Sequence, residues 1–100
     1  MAIQTPTVGR KLWYRPEGDA SMAFIGDQPL DATVVAVHND HCVNLVIFDA
    51  SGVKHVRTST YLKQDGVDLP EWVRSYAEWM PYQVKQHQKH ADEAAAVPKD

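Results

Sequence analysis

The chain changes its hydrophobic rhythm near residue 66, from strand-like alternation to helix-like spacing. Its clearest signal is a pair of β-branched runs, Thr33-Val34-Val35-Ala36-Val37-His38 and His41-Cys42-Val43-Asn44-Leu45-Val46-Ile47-Phe48-Asp49. Asn39-Asp40 joins them, and both residue types tolerate positive φ, so the pair predicts a hairpin turn. Val8–Tyr14 alternates as a first strand, with Val8, Leu12 and Tyr14 on one side. Ala50-Ser51-Gly52 marks a turn, Val53–Thr58 the next strand, and Ser59-Thr60-Tyr61-Leu62 a continuation after a kink. Between Arg15 and Asp31 lies a connection of a length that is often functional or only partly ordered, with Ala23-Phe24-Ile25 as a short strand inside it. The reading is mainly β: a small SH3-like barrel of four to five antiparallel strands over residues 8–66, preceded by an arm, residues 1–7.

Residues 67–100 read as a C-terminal helical extension. Asp68 precedes Glu71 at capping spacing, and Pro70 suits a first helical turn. Trp72, Tyr76 and Trp79 follow at i, i+4 and i+7, one stripe of a helix. Pro81 ends that helix and opens a second, whose apolar face is little more than Tyr82 and Val84. A helix with so thin a stripe calls for a partner.

The third strand is apolar on both sides. Val43, Leu45 and Ile47 suit the core, which leaves Val46 and Phe48 outside beside Val35 and Val37 of the hairpin. A barrel has one interior, so a second apolar face needs a cover. The expected partner-binding set is therefore Val35, Val37, Val46, Phe48, Trp72, Tyr76, Trp79 and Tyr82. The arm from Ala2 to Thr7 is β-permissive and is expected to add as a strand to a neighbour's sheet edge.

Composition narrows the class. One hundred residues suit one domain, and a net charge of −3 excludes the broad basic footprint of a phosphate-gripping domain. The single Cys42 excludes an internal disulfide and fits a reducing compartment. No apolar run reaches membrane-spanning length, and the first residues lack the features of a secretory signal.

Candidate chemistry is weak throughout. His38, His41 and Cys42 crowd the hairpin tip near His55, but a second ligand pair at zinc spacing is missing. His87 and His90 share a helix face rich in Gln and Lys, which reads as a solvated surface. Ser51 lacks a nucleophile elbow, the five glycines are scattered turn residues, and the loop aspartates suit turns. Arg10, Lys11, Arg15, Lys54, Arg57 and Lys63 lie near Trp13, Tyr14 and Tyr61, the composition of a strand-binding barrel. Core aromatics with edge-protecting lysines explain that set better in an acidic chain. The expectation is a protein without cofactor or metal and without enzymatic activity.

Cys42–Gly52 with Arg57-Thr58-Ser59, then Ala77-Glu78-Trp79-Met80-Pro81-Tyr82-Gln83, resembles a group of small proteins encoded by tailed bacteriophages and prophages. Pro6-Thr7-Val8-Gly9-Arg10 and the aromatic strand after it are similar to that group as well. The resemblance spans most of residues 6–90, and its most specific pieces are the Val-Asn-Leu strand and the Glu-Trp-Met-Pro-Tyr-Gln segment. It implies a viral setting and carries no catalytic residue. The expectation is a virion component, a capsid decoration (cement) or other minor structural protein, found in the host cytoplasm before assembly. Its first partner would be the major capsid protein, with self-association as a second. The alternatives are a phage accessory protein that inhibits a host factor, and a barrel that binds single-stranded nucleic acid.

Overall fold

The expected hairpin is present and is the longest two-stranded unit of the protein, with its turn one residue later than expected: Asn39 pairs with Cys42, and Asp40 and His41 form the loop. β1 (Lys11–Arg15), β2 (Leu30–Asn39), β3 (Cys42–Phe48), β4 (Lys54–Lys63) and β5 (Tyr76–Glu78) close into a barrel in sequence order, followed by α1 (Pro81–Ala96). This structure, a computed structural model, describes the backbone of residues 3–96 and the side chains of residues 3–87 and 89. The expected mainly β barrel with a helical extension is therefore what the chain forms.

The interior is filled from every strand: Leu12 and Tyr14, Leu30, Ala32 and Val34, Val43, Leu45 and Ile47, Leu62, and Ala77. Alternation on β3 places Val43, Leu45 and Ile47 inside, as the sequence predicts. Two irregularities bend the long strands. The β2–β3 register shifts between Val34 and Ala36, and again between Val37 and Asn39. On β4, Val43 faces Thr60 while Leu45 faces Arg57, so one extra residue is accommodated around Ser59, whose φ is +51°. The bulge reverses which side chains face inward: Thr60, Leu62 and Gln64 are buried beyond it. Asn44 stabilises it, because its Oδ1 accepts from the Ser59 N–H at 2.8 Å. The expected kink is thus a bulge within one strand.

Three expectations are corrected here. The stretch containing Trp72, Tyr76 and Trp79 is not a helix; it is a connection, residues 64–75, followed by β5. β5 pairs antiparallel with β1 (Tyr14 opposite Ala77) but parallel with β4 (Leu62 opposite Ala77), so the last seam of the barrel is parallel. A parallel neighbour needs a crossover of about a dozen residues, and the 64–75 connection supplies it. The fifth strand therefore comes from beyond residue 66. Second, the first strand starts at Lys11, and Val8 is exposed because Gly9, at φ +93°, turns the chain before it. Third, Ala23-Phe24-Ile25 forms no strand and leaves Phe24 and Ile25 exposed.

The N-terminal arm is also not free. Gln4 donates its N–H to Gln64 Oε1 at 3.0 Å and accepts from Gln64 Nε2 at 2.9 Å, and Pro6 is buried. The main-chain groups of Gln4 that a neighbour's sheet would use are taken by this barrel. At the other end, Pro81 opens α1 as expected. Gln83 Oε1 accepts from the Met80 N–H at 2.8 Å, half of a capping box, while Gln83 Nε2 donates to the Lys11 carbonyl at 2.7 Å. Val84 packs on the core, so the start of the helix is fastened to β1.

Candidate protein-interaction surface

The outer face of β2, β3 and β4 carries a row of branched side chains. Thr33 stands opposite Val46 and Val46 opposite Val56, so three strands contribute consecutive positions. Val35, at the first β2 irregularity, is 46% exposed, and Val56 is 55% exposed. Phe48 is exposed as well, and Val46 is half-buried between its neighbours. Asp31 and Lys54 flank Phe48 on either side, giving the apolar patch a charged margin. Lys11 pairs with Asp31 at 3.2 Å on that margin.

The eight expected partner-binding residues do not form one surface. Val35, Val46 and Phe48 share the outer sheet face, whereas Val37, opposite the inward-facing Val43 beyond the irregularity at Val35, lies on the inner side at the open end of the barrel, which corrects its expected place. Val56 joins the outer face, a residue the sequence reading left out; its position opposite Val46 follows only from the β3–β4 register. Trp72 stands on the 64–75 connection, 76% exposed and edge-on to Tyr61 at 6.1 Å, and Tyr61 stacks on His41 at 5.6 Å. Tyr76 is half-buried in β5, opposite Arg15. Trp79 is a core residue, 5% exposed, with its ring 6.0 Å from the Arg10 guanidinium. It covers the end of the barrel and is not available to a partner. Tyr82 is exposed on the first turn of α1.

Side-chain anchors hold the long β1–β2 connection, residues 16–29, against the sheet. Arg57 Nε lies 2.9 Å from Asp19 Oδ2 and its Nη2 donates to Ser21 Oγ at 2.6 Å. The Arg57 guanidinium, with help from Ser21, keeps the Asp19 carboxyl far below the usual carboxylate range. Arg57 stands opposite the inward-facing Leu45, just before the bulge at Ser59, which puts it on the inward side at the edge of the barrel. Farther along, Asp49 accepts from His55 Nε2 at 2.8 Å and from the N–H groups of Ser51, Val53 and Ala23. The His55 contact, followed by those backbone donors, lowers its pKa to about 2. Asp49 thus fixes the β3–β4 turn and one point of the long connection together. Burial pushes the Tyr14 hydroxyl up, and that hydroxyl reaches Asp19 at 3.4 Å.

Three of the histidines considered as metal ligands have other partners. His38 Nε2 donates to Asn44 Oδ1 at 2.9 Å, His41 stacks on Tyr61, and His55 serves Asp49. Among the described residues no three His, Cys, Asp or Glu side chains gather as a metal site. The His90 side chain lies outside the described residues. No helix among them is long and apolar enough to cross a membrane. In comparisons with known proteins, no family model, no curated protein and no solved structure matched this chain.

Proposed function

We propose that this protein is a non-enzymatic virion component of a tailed bacteriophage, a capsid decoration or minor structural protein. It attaches to the major capsid protein through the outer face of β2, β3 and β4. The observation that carries the reading is the Val35, Val46, Phe48 and Val56 face, which the barrel does not use. The core is complete without it, so burying these side chains is worth most to a second protein. A rigid, closed barrel also meets a partner with little ordering cost. The resemblance of the Val-Asn-Leu strand and the Glu-Trp-Met-Pro-Tyr-Gln segment to phage-encoded proteins supports the setting. The docked arm and the fastened start of α1 move the weight of attachment from the chain ends to the sheet. Quantitative mass spectrometry of gradient-purified particles of the encoding phage tests this reading. Many copies per particle are expected, and absence from particles overturns it.

A second reading, a barrel that binds single-stranded nucleic acid, is favoured by the His41, Tyr61 and Trp72 row, since exposed rings in series are stacking platforms. A salt-dependent shift with single-stranded DNA distinguishes it.

A further inference from the structure

Residues 16–29 enclose a half-open recess of about 440 Å³ that the sheet face does not involve. Its size falls within the range of small binding sites, ~300–1,000 Å³. Pro16, Ala20 and Phe24 supply apolar wall, and Glu17 and Asp27 supply carboxylates. The walls are held from several sides: Pro16 and Met22 are buried, Arg57 holds Asp19 and Ser21, and Asp49 holds the Ala23 N–H. Arg15 Nη1 donates to the Asp27 carbonyl at 2.8 Å, which closes the far end.

The charges around this recess are unequally satisfied. The Arg15 guanidinium is taken by Glu78 at 2.6 Å and lies 5.4 Å from the Trp13 ring centroid. Asp19 is taken by Arg57. Glu17 and Asp27 are exposed, and among the described residues neither carboxylate is in an ion pair. An apolar wall with two carboxylates outside these ion pairs selects a group that joins an apolar stem to a cation.

A second cleft adjoins the recess. Glu17, Gly18 and Asp19 line both, and the far side of the second cleft, about 410 Å³, includes Tyr61 and Trp72. Gly18, at φ +80°, lets the chain pass close to Arg74: a Cβ there would lie 3.3 Å from Arg74 Cδ. Two clefts sharing one backbone wall suit an extended chain better than a compact molecule.

We propose that the β1–β2 connection binds an extended peptide segment of a protein partner, with an arginine or lysine side chain in the recess beside Glu17 and Asp27. An adjacent apolar residue lies against Tyr61 and Trp72. This site is independent of the sheet face and stands or falls without it.

The test is an NMR titration of the ¹⁵N-labelled full chain with the capped peptide acetyl-Ala-Leu-Arg-Leu-Ala-amide. The controls are the same peptide with Glu for Arg, and phenylguanidine as a free cation. Saturable shifts are expected for residues 15–28 and 72–75 with the Arg peptide, and none with the Glu peptide. The double variant Glu17→Gln/Asp27→Asn should keep the parent's spectrum elsewhere and bind at least tenfold more weakly. Equal binding by that variant, shifts confined to other residues, or no binding overturns the site. Binding of phenylguanidine without binding of the Arg peptide overturns the peptide as its occupant.

Discussion

Trp79 Nε1 donates to Gln64 Oε1 at 3.1 Å in the buried end of the barrel, and this bond joins β5 to the end of β4. Gln64 is fully buried and uses both ends of its amide. Its Oε1 also accepts from the Gln4 N–H, and its Nε2 donates to the carbonyls of Gln4 and Asp40. One side chain therefore ties together the N-terminal arm, the hairpin tip and the barrel seam. Replacing Gln64 with Leu leaves the Trp79 N–H and the inner backbone groups without partners. At about 1–3 kcal/mol for each buried orphan, the variant should lose roughly 3 kcal/mol. The urea midpoint measures this; a loss under about 0.5 kcal/mol would contradict the assignment.

The two tryptophans after residue 70 should behave oppositely. Trp79→Ala opens a cavity in the barrel end and should cost about 3–5 kcal/mol. Trp72→Ala removes a side chain that is 76% exposed and should change stability by less than about 0.5 kcal/mol. Parallel thermal melts separate the two.

Acid should weaken the fold through Asp19 and Asp49. Both carboxyls are depressed below their ordinary value of 3.8 in the folded protein, Asp49 to about 2. A depressed carboxyl binds fewer protons folded than unfolded, so its contribution is fully present above about pH 4 and is lost as pH falls toward 2. The melting temperature should fall across that window. Asp49→Asn and Asp19→Asn should each start from a lower melting temperature at pH 7 and decline less steeply. A variant with the parent's pH profile would show that its carboxyl is not the group responsible.

Ser59 sits at φ +51°, where a Cβ is strained. Ser59→Gly should raise stability, by up to about 1 kcal/mol, and Ser59→Val should lower it by more. Chemical denaturation of the pair gives the sign directly.

The hairpin was legible because β-branched runs flank Asn39-Asp40, and the two faces of β3 were legible because strict alternation separates Val43, Leu45 and Ile47 from Val46 and Phe48. β5 was not legible. Trp72, Tyr76 and Trp79 mimic a helical stripe, yet only Trp79 is buried, and the true period is Ala77 and Trp79 at i and i+2. A three-residue strand offers too few positions to show its alternation, and its pairing depends on Leu62 and Tyr14, far away in sequence. Half of the candidate surface was legible for the same reason as the hairpin. Val56 was missed because its place opposite Val46 is set by the turn between β3 and β4, and only the pairing reveals that register. The anchors on Asp19 and Asp49 join residues distant in the chain and leave no local pattern.

Attachment through the outer face of β2, β3 and β4 predicts that charging this face releases the protein from capsids. The most direct measurement is the copy number on purified capsids of the parent chain against Val35→Lys/Val56→Lys. Both positions are exposed, so the variant should keep the parent's fold by circular dichroism and a melting temperature within a few degrees. Near-full occupancy by the parent and at least a tenfold loss for the variant is the predicted result. Equal occupancy by both, with the variant folded, would contradict the claim.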